Sequence, residues 1–148
     1  MNIRQGIPQE IIKEALSFSY PFFRRLMGEK DFYAYMLNVS DWEQSFIIDH
    51  EDKIMGVYIL GNHQVTEFTN DPQFENLVGD EGVLLAIDES IRGQGWGNKL
   101  KDIPKTLGVD YIWGQQFKEL NNLNDWLKRR ILVATTDEVY VTVEKYNF

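Results

Sequence analysis

The sequence predicts a mixed α/β or α+β domain built on one sheet, and three observations predict it. Apolar residues recur at helical spacing near the N-terminus, as in "PQEIIKEALSFSY". From Ser45 the pattern changes to short β-branched and aromatic runs separated by turn-like residues. A strand–helix–strand–helix alternation then follows, before two closing strands.

Taken in order, Ile11, Ile12, Ala15, Leu16 and Ser19 mark one face of a first helix, with Pro8 at its first helical position. Pro21 interrupts it, and "PFFRRLMG" reads as a second short helix closed by Gly28. "SFIID", the turn "HEDK" and "IMGVYIL" read as a hairpin, and "HQVTEF" as an extension of its sheet. "TNDPQFENLVGDE" is a polar loop, and the continuously apolar "GVLLAI" a central strand. After a glycine-rich link, Leu100, Ile103 and Leu107 mark a helix ended by Gly108. Pro104 inside it removes an N–H and would kink or end it, at ~3 kcal/mol if unaccommodated. "VDYIW" is a strand, "LNNLNDWLKRR" a helix, and "ILVAT" with "EVYVTVEKY" a final hairpin.

The 148 residues suit one domain, 1–148, and neither a repeat nor a linker divides them. Cysteine is absent, which excludes disulfides and thiolate chemistry, and without a His/carboxylate cluster at ligand spacing no metal is expected. No run approaches the roughly 18 apolar residues of a spanning helix, so a cytoplasmic protein away from the membrane is expected. The net charge of −8 makes nucleic acid a poor partner. A monomer or a homodimer fits the length.

Charge distribution says more than the sum. From Gln64 to Ile91 there is no Lys or Arg, while Glu67, Asp71, Glu75, Asp80, Glu81, Asp88 and Glu89 are acidic. Arg92, Lys99, Lys101 and Lys105 follow directly, opposed only by Asp102. Two readings stand: ordinary solvated charge, or an anion site beside a cation site.

The sign changes at "IRGQGWGNKL", where Gly93, Gly95 and Gly97 separate a strand from a helix. The first amides of a helix have no internal acceptor and lie at the positive end of its dipole. Glycine removes the Cβ atoms that would hold a phosphate off and permits the torsions that turn several N–H groups towards it. Gln94 to Asn98 supply those amides, and Arg92 adds a formal charge. Neither the P-loop string nor the dinucleotide G-x-G-x-x-G fits the spacing.

The run "AIDESIRGQGWGNKL", with Arg92, Gly95 and Gly97 as R-x-x-G-x-G, resembles the acyl-CoA signature of the GNAT superfamily of N-acetyltransferases. The preceding "IMGVYIL" hairpin and the following "VDYIW" strand keep that family's order over roughly residues 45–148. The resemblance implies a central mixed, mostly antiparallel sheet flanked by helices, with acetyl-CoA (coenzyme A) as co-substrate. It implies that Arg92, Gly93, Gln94, Gly95, Trp96, Gly97 and Asn98 hold the pyrophosphate. Leu85, Ala86 and Ile87 would pair with the pantetheine arm as a neighbouring strand does, and Asn121, Asn122 or Asn124 would approach the cofactor.

Direct attack on a thioester needs an unprotonated amine, although an alkylammonium has a pKa of about 10, so a base is required. Glu81, before "GVLLAI", stands where the histone-acetylating branch of the family carries its catalytic glutamate; the alternative is a solvated carboxylate. Glu67 and Glu75 are weaker candidates. The tyrosine that many members use to protonate the leaving thiolate is missing, and Lys128 falls at about its place. His50 and His63 read as turn or strand residues, and "DFYAYMLNVSDWEQSF" as core packing or a substrate-pocket lining. The implied activity is N-acetyl transfer to an amine, a cationic one on the evidence of the acidic stretch. The alternative is a non-catalytic acyl-CoA-binding or protein-interaction module on the same fold.

Overall fold

The protein is described by a computed structural model covering residues 1–146; the last two positions of the expected domain, Asn147 and Phe148, lie outside the described residues. Among these, the strands are β1 (Asn2–Gln5), β2 (Ser40–His50), β3 (Lys53–Gly61), β4 (Gly79–Ile87), β5 (Tyr111–Phe117), β6 (Ile131–Thr135) and β7 (Val139–Lys145). The helices are α1 (Gln9–Ser19), α2 (Glu29–Val39), α3 (Trp96–Thr106) and α4 (Leu123–Trp126). The strands form one sheet in the order β1-β2-β3-β4-β5-β7-β6. The ladders β1–β2, β2–β3, β5–β7 and β6–β7 are antiparallel and β4–β5 is parallel. This is the one-sheet α/β domain that the sequence pattern predicts, with the mixed, mostly antiparallel sheet that the resemblance implies.

The chain divides into two compact units, one of Met1–Asn62 with Val83–Asp102, the other of His63–Gly82 with the chain from Ile103 onward. In the first, α1 and α2 bury Ala15, Leu16, Phe32 and Met36 against Ile47, Val57, Ile59, Leu84 and Ala86. Each fully buried side chain such as Phe32 or Leu16 contributes about 1.5–3 kcal/mol. Phe32 lies 5.5 Å from the Tyr20 ring and 5.3 Å from Phe23, so the aromatic stretch after Asp31 serves mainly the core. A bulge in β2 between Asp41 and Phe46 is filled by buried Ser45, whose hydroxyl donates to the Asp41 carbonyl and accepts from the Leu60 amide. The second unit buries Val65, Phe74, Tyr111, Trp113, Val139, Val141 and Val143 together.

Several elements differ from the sequence reading. "PFFRRLMG" is not an α-helix: Tyr20–Phe22 forms a 3₁₀ turn around Pro21, and Gly28 opens α2 as its N-cap instead of closing a helix. "HQVTEF" leaves the sheet because Gln64 and Glu67 cap each other reciprocally over a 3₁₀ turn that buries Val65. The strand β1 has only Ile3 as an apolar signal, and β2 recruits it, with Arg4 paired to Asp49. The helix expected over "LNNLNDWLKRR" is only α4, four residues long. Pro104 stands inside α3 with its ring buried, and the helix ends two residues beyond it; Leu107 lies past that end and is 60% exposed rather than on the buried face.

Candidate functional site

In the first unit, β4 ends at Ile87, and Asp88 caps a short 3₁₀ turn, its Oδ1 accepting from the Ser90 amide at 3.0 Å. The Ser90 hydrogen bonds, helped by Lys53 and Arg92, hold the Asp88 carboxyl below its ordinary range. The Arg92 amide closes that turn on the Glu89 carbonyl at 3.3 Å. Gly93 and Gly95 then adopt φ of +77° and +85°, a region that side chains other than glycine's rarely enter. The first helical bond of α3 is made by the Lys99 amide to the Gly95 carbonyl at 3.0 Å. Among the described residues, the amides of Gly93 to Gly97 meet no protein acceptor.

A Cβ placed on Gly93 or Gly95 would meet open space, and one on Gly97 would lie 3.5 Å from Leu85 Cδ2. The turn faces a cavity of about 300 Å³ lined by Leu85, Ile87, Ile91, Arg92, Gly93, Gly95, Trp96, Gly97, Asn98 and Lys101. Most of the expected cofactor residues therefore line one space. Gln94 is exposed outside it, and the side chain of Ala86 is buried in the core on the other face of β4, leaving only its main chain to contribute. Arg92 donates from Nε to the Ile87 carbonyl at 3.0 Å, and its guanidinium lies over the Phe22 ring at 5.2 Å. Lys99 Nζ lies over the Trp96 ring at 4.4 Å.

Glu81, in the second unit, is not a solvated carboxylate: it is 3% exposed. Its Oε1 accepts from the His63 amide at 3.4 Å and its Oε2 from Gln115 Nε2 at 3.2 Å. Burial pushes its pKa up, and these two hydrogen bonds and the neighbouring His63 oppose the rise only in part. The His63 ring Nδ1 is 3.2 Å from Glu67 Oε1, and Glu67 also accepts from the Gln64 amide at 2.7 Å. The Gln64 amide and then His63 hold Glu67 below the ordinary carboxylate range. Glu75 is exposed. Sequence reasoning missed Gln115, whose signal was a polar residue on the same strand face as Trp113 and Phe117, and read His63 only as a turn or strand residue.

The β4–β5 ladder pairs Gly79, Asp80 and Glu81 with Tyr111, Ile112 and Trp113. Beyond it Gly114 lies so close to β4 that a Cβ would sit 2.9 Å from the Gly82 carbonyl oxygen. Asn121 is committed within the second unit: its amide donates to the Phe117 carbonyl at 2.8 Å and accepts from Trp126 Nε1 at 3.0 Å, tying β5 to α4. Asn122 caps α4 by accepting from the Asn124 amide. Lys128 lies past the end of α4 with its ammonium 4.0 Å from Asp125. Among the described residues no group of three or more His, Asp and Glu could hold a metal ion, and no helix is long and apolar enough to cross a membrane.

Neither a protein-family model nor a curated protein matches the sequence. Solved structures match the fold. PaiA N-acetyltransferase from Thermoplasma acidophilum, in complex with coenzyme A, superposes with a TM-score of 0.62 at 10% identity, over 99% of this chain and 100% of that one. A GNAT-family acetyltransferase from Listeria monocytogenes gives 0.65 at 10% identity, over 98% and 94% of the two chains. An acetyltransferase from Bacillus subtilis, in complex with coenzyme A, gives 0.56 at 16% identity, over 98% of each. The chain has the fold of the GNAT acetyltransferases.

Proposed function

We propose that this chain, built on the GNAT acetyltransferase fold as one catalytic domain, binds acetyl-CoA at the glycine turn and transfers its acyl group to a primary amine. The observation that carries the reading is the run of amides from Gly93 to Gly97, without protein acceptors among the described residues, at the mouth of α3 over a cavity. Coenzyme A in two of the similar structures supports the same ligand. A diphosphate fits such a cradle, since the glycines let main chain approach it and the helix dipole favours its charge. Leu85 and Ile87 present an apolar wall suited to a pantetheine arm, and the main chain of Leu85 to Ile87 runs beside it.

When bound, acetyl-CoA supplies an acyl thioester whose carbonyl carbon accepts the amine while the thiolate leaves. The residues of the chain orient, desolvate and move protons. Glu81 is the base: its buried carboxyl has a raised pKa, which brings its proton affinity closer to the amine's, and Gln115 and the His63 amide fix its two oxygens. Acid residues without an intervening Lys or Arg between Gln64 and Ile91 favour a cationic acceptor.

The test is incubation with acetyl-CoA and a panel of amines, following release of free coenzyme A thiol. Acceptor-dependent release supports the enzyme. Its absence across the panel, with tight binding of coenzyme A by calorimetry, supports instead an acyl-CoA-binding module. The short α4, which carries no tyrosine, favours that second reading.

A further inference from the structure

The two cations nearest the glycine turn in sequence share an unusual feature. Arg92 precedes the glycines and Lys99 follows them, and neither forms an ion pair among the described residues. Each lies over an aromatic ring instead, Arg92 over Phe22 at 5.2 Å and Lys99 over Trp96 at 4.4 Å. The carboxylate that Arg92 feels, Asp88, is turned to the amide and hydroxyl of Ser90.

The difference matters for an incoming anion. A cation paired with a carboxylate must give up that partner before it can serve a phosphate, and its field is already cancelled. A ring attracts the cation through its quadrupole, carries no net charge and leaves the N–H donors available. Arg92 is further fixed by the bond from Nε to the Ile87 carbonyl, which leaves its terminal nitrogens to a ligand. Phe22 is 39% exposed and sits in a 3₁₀ turn at the end of α1, a position with little to gain from core packing.

We propose that Phe22 and Trp96 are positioning residues for the anionic end of the cofactor, each holding one cation, Arg92 and Lys99, as a charge reserved for the phosphates. This rests on the reading of the turn as a coenzyme A site. It adds to that site a residue from the N-terminal segment, which the acyl-CoA signature does not contain.

The experiment is calorimetric titration of the full chain with coenzyme A and with pantetheine, which lacks the phosphates. Phe22→Leu and Trp96→Leu are each expected to weaken coenzyme A binding by about threefold to thirtyfold, the size of one cation–π contact. Pantetheine binding, followed by chemical-shift perturbation, is expected to stay within about twofold of wild type for Phe22→Leu. In an Arg92→Gln background the Phe22→Leu effect is expected to vanish, since the two residues act as a unit. Unchanged coenzyme A affinity in both variants, equal loss for pantetheine, or additivity with Arg92→Gln would each overturn the proposal. Failure of the wild-type chain to bind coenzyme A would overturn the site reading itself, and the wild-type titration alone reveals it. If Trp96→Leu does not fold, the exposed Phe22 position still decides the matter.

Discussion

Gln115 holds Glu81: its Nε2 donates to Oε2 of the carboxylate at 3.2 Å, across the end of the β4–β5 ladder, while the His63 amide takes Oε1. A carboxyl 3% exposed, whose two hydrogen bonds are both from neutral donors, is costly to ionise. Replacing Gln115 by leucine removes one of the two donors. The Glu81 pKa is then expected to rise further, read as an upward shift of its side-chain carboxyl titration by carbon NMR and of the acid limb of the turnover profile. An unmoved titration would mean that the contact is incidental.

Glu81→Gln tests base and burial separately. Turnover is expected to fall by about 10²–10⁴-fold, the usual contribution of a general base. Stability is expected to move the other way at neutral pH. The folded chain keeps the Glu81 proton to higher pH than the unfolded chain does, so the stability from the neutral carboxyl is full below its ordinary value of 4.5 and is lost as pH rises through the raised value. The melting temperature of Glu81→Gln relative to wild type should therefore climb as pH increases from about 4.5 through that window. A constant difference between the two proteins would contradict the burial argument.

Gly95→Val separates the ligand from the fold. A Cβ there meets open space, so the main cost to the chain is the strain of a β-branched residue at φ +85°, about 1–2 kcal/mol. Coenzyme A binding is expected to be lost by calorimetry while the protein still melts cooperatively. Retained affinity would refute the assignment of the turn.

Gly97→Ala is the milder companion. Its Cβ reaches Leu85 Cδ2 at an ordinary 3.5 Å and its backbone is not left-handed, so thermal stability should change little. The methyl group projects beside the amides, and the expected outcome is weaker coenzyme A binding at near-wild-type melting temperature.

Gly114→Ala acts on the sheet. A methyl group 2.9 Å from the Gly82 carbonyl oxygen and 3.0 Å from Gln116 Nε2 has no room, so β4 and β5 must shift. The expected loss is about 1–3 kcal/mol, measured by urea unfolding; a neutral result would show that the strands part easily there.

The elements most legible in the sequence are those with strong period or punctuation. The "SFIID" and "IMGVYIL" strands, the "GVLLAI" strand and the glycine turn stand where their residues place them, because apolar runs and left-handed glycines each permit few alternatives. The errors fall where a local hydrogen bond outweighs the pattern. The mutual capping of Gln64 and Glu67 curls "HQVTEF" out of the sheet, and β1 exists because β2 offers it an edge. The candidate base Glu81 stands out in the sequence by its place before "GVLLAI", whereas the donors on its oxygens do not, since strand pairing alone brings Gln115 to it. The stack of Phe22 on Arg92 was equally hidden, because the two are far apart along the chain.

Gly93 to Gly97 carry main-chain N–H groups, so the diphosphate cradle proposed there is a matter of backbone shape before it is one of side chains. What that shape needs first is the path of the polypeptide through two left-handed torsions, at Gly93 and Gly95. Because the donors belong to the main chain, a disturbance at either torsion reorients several of them together.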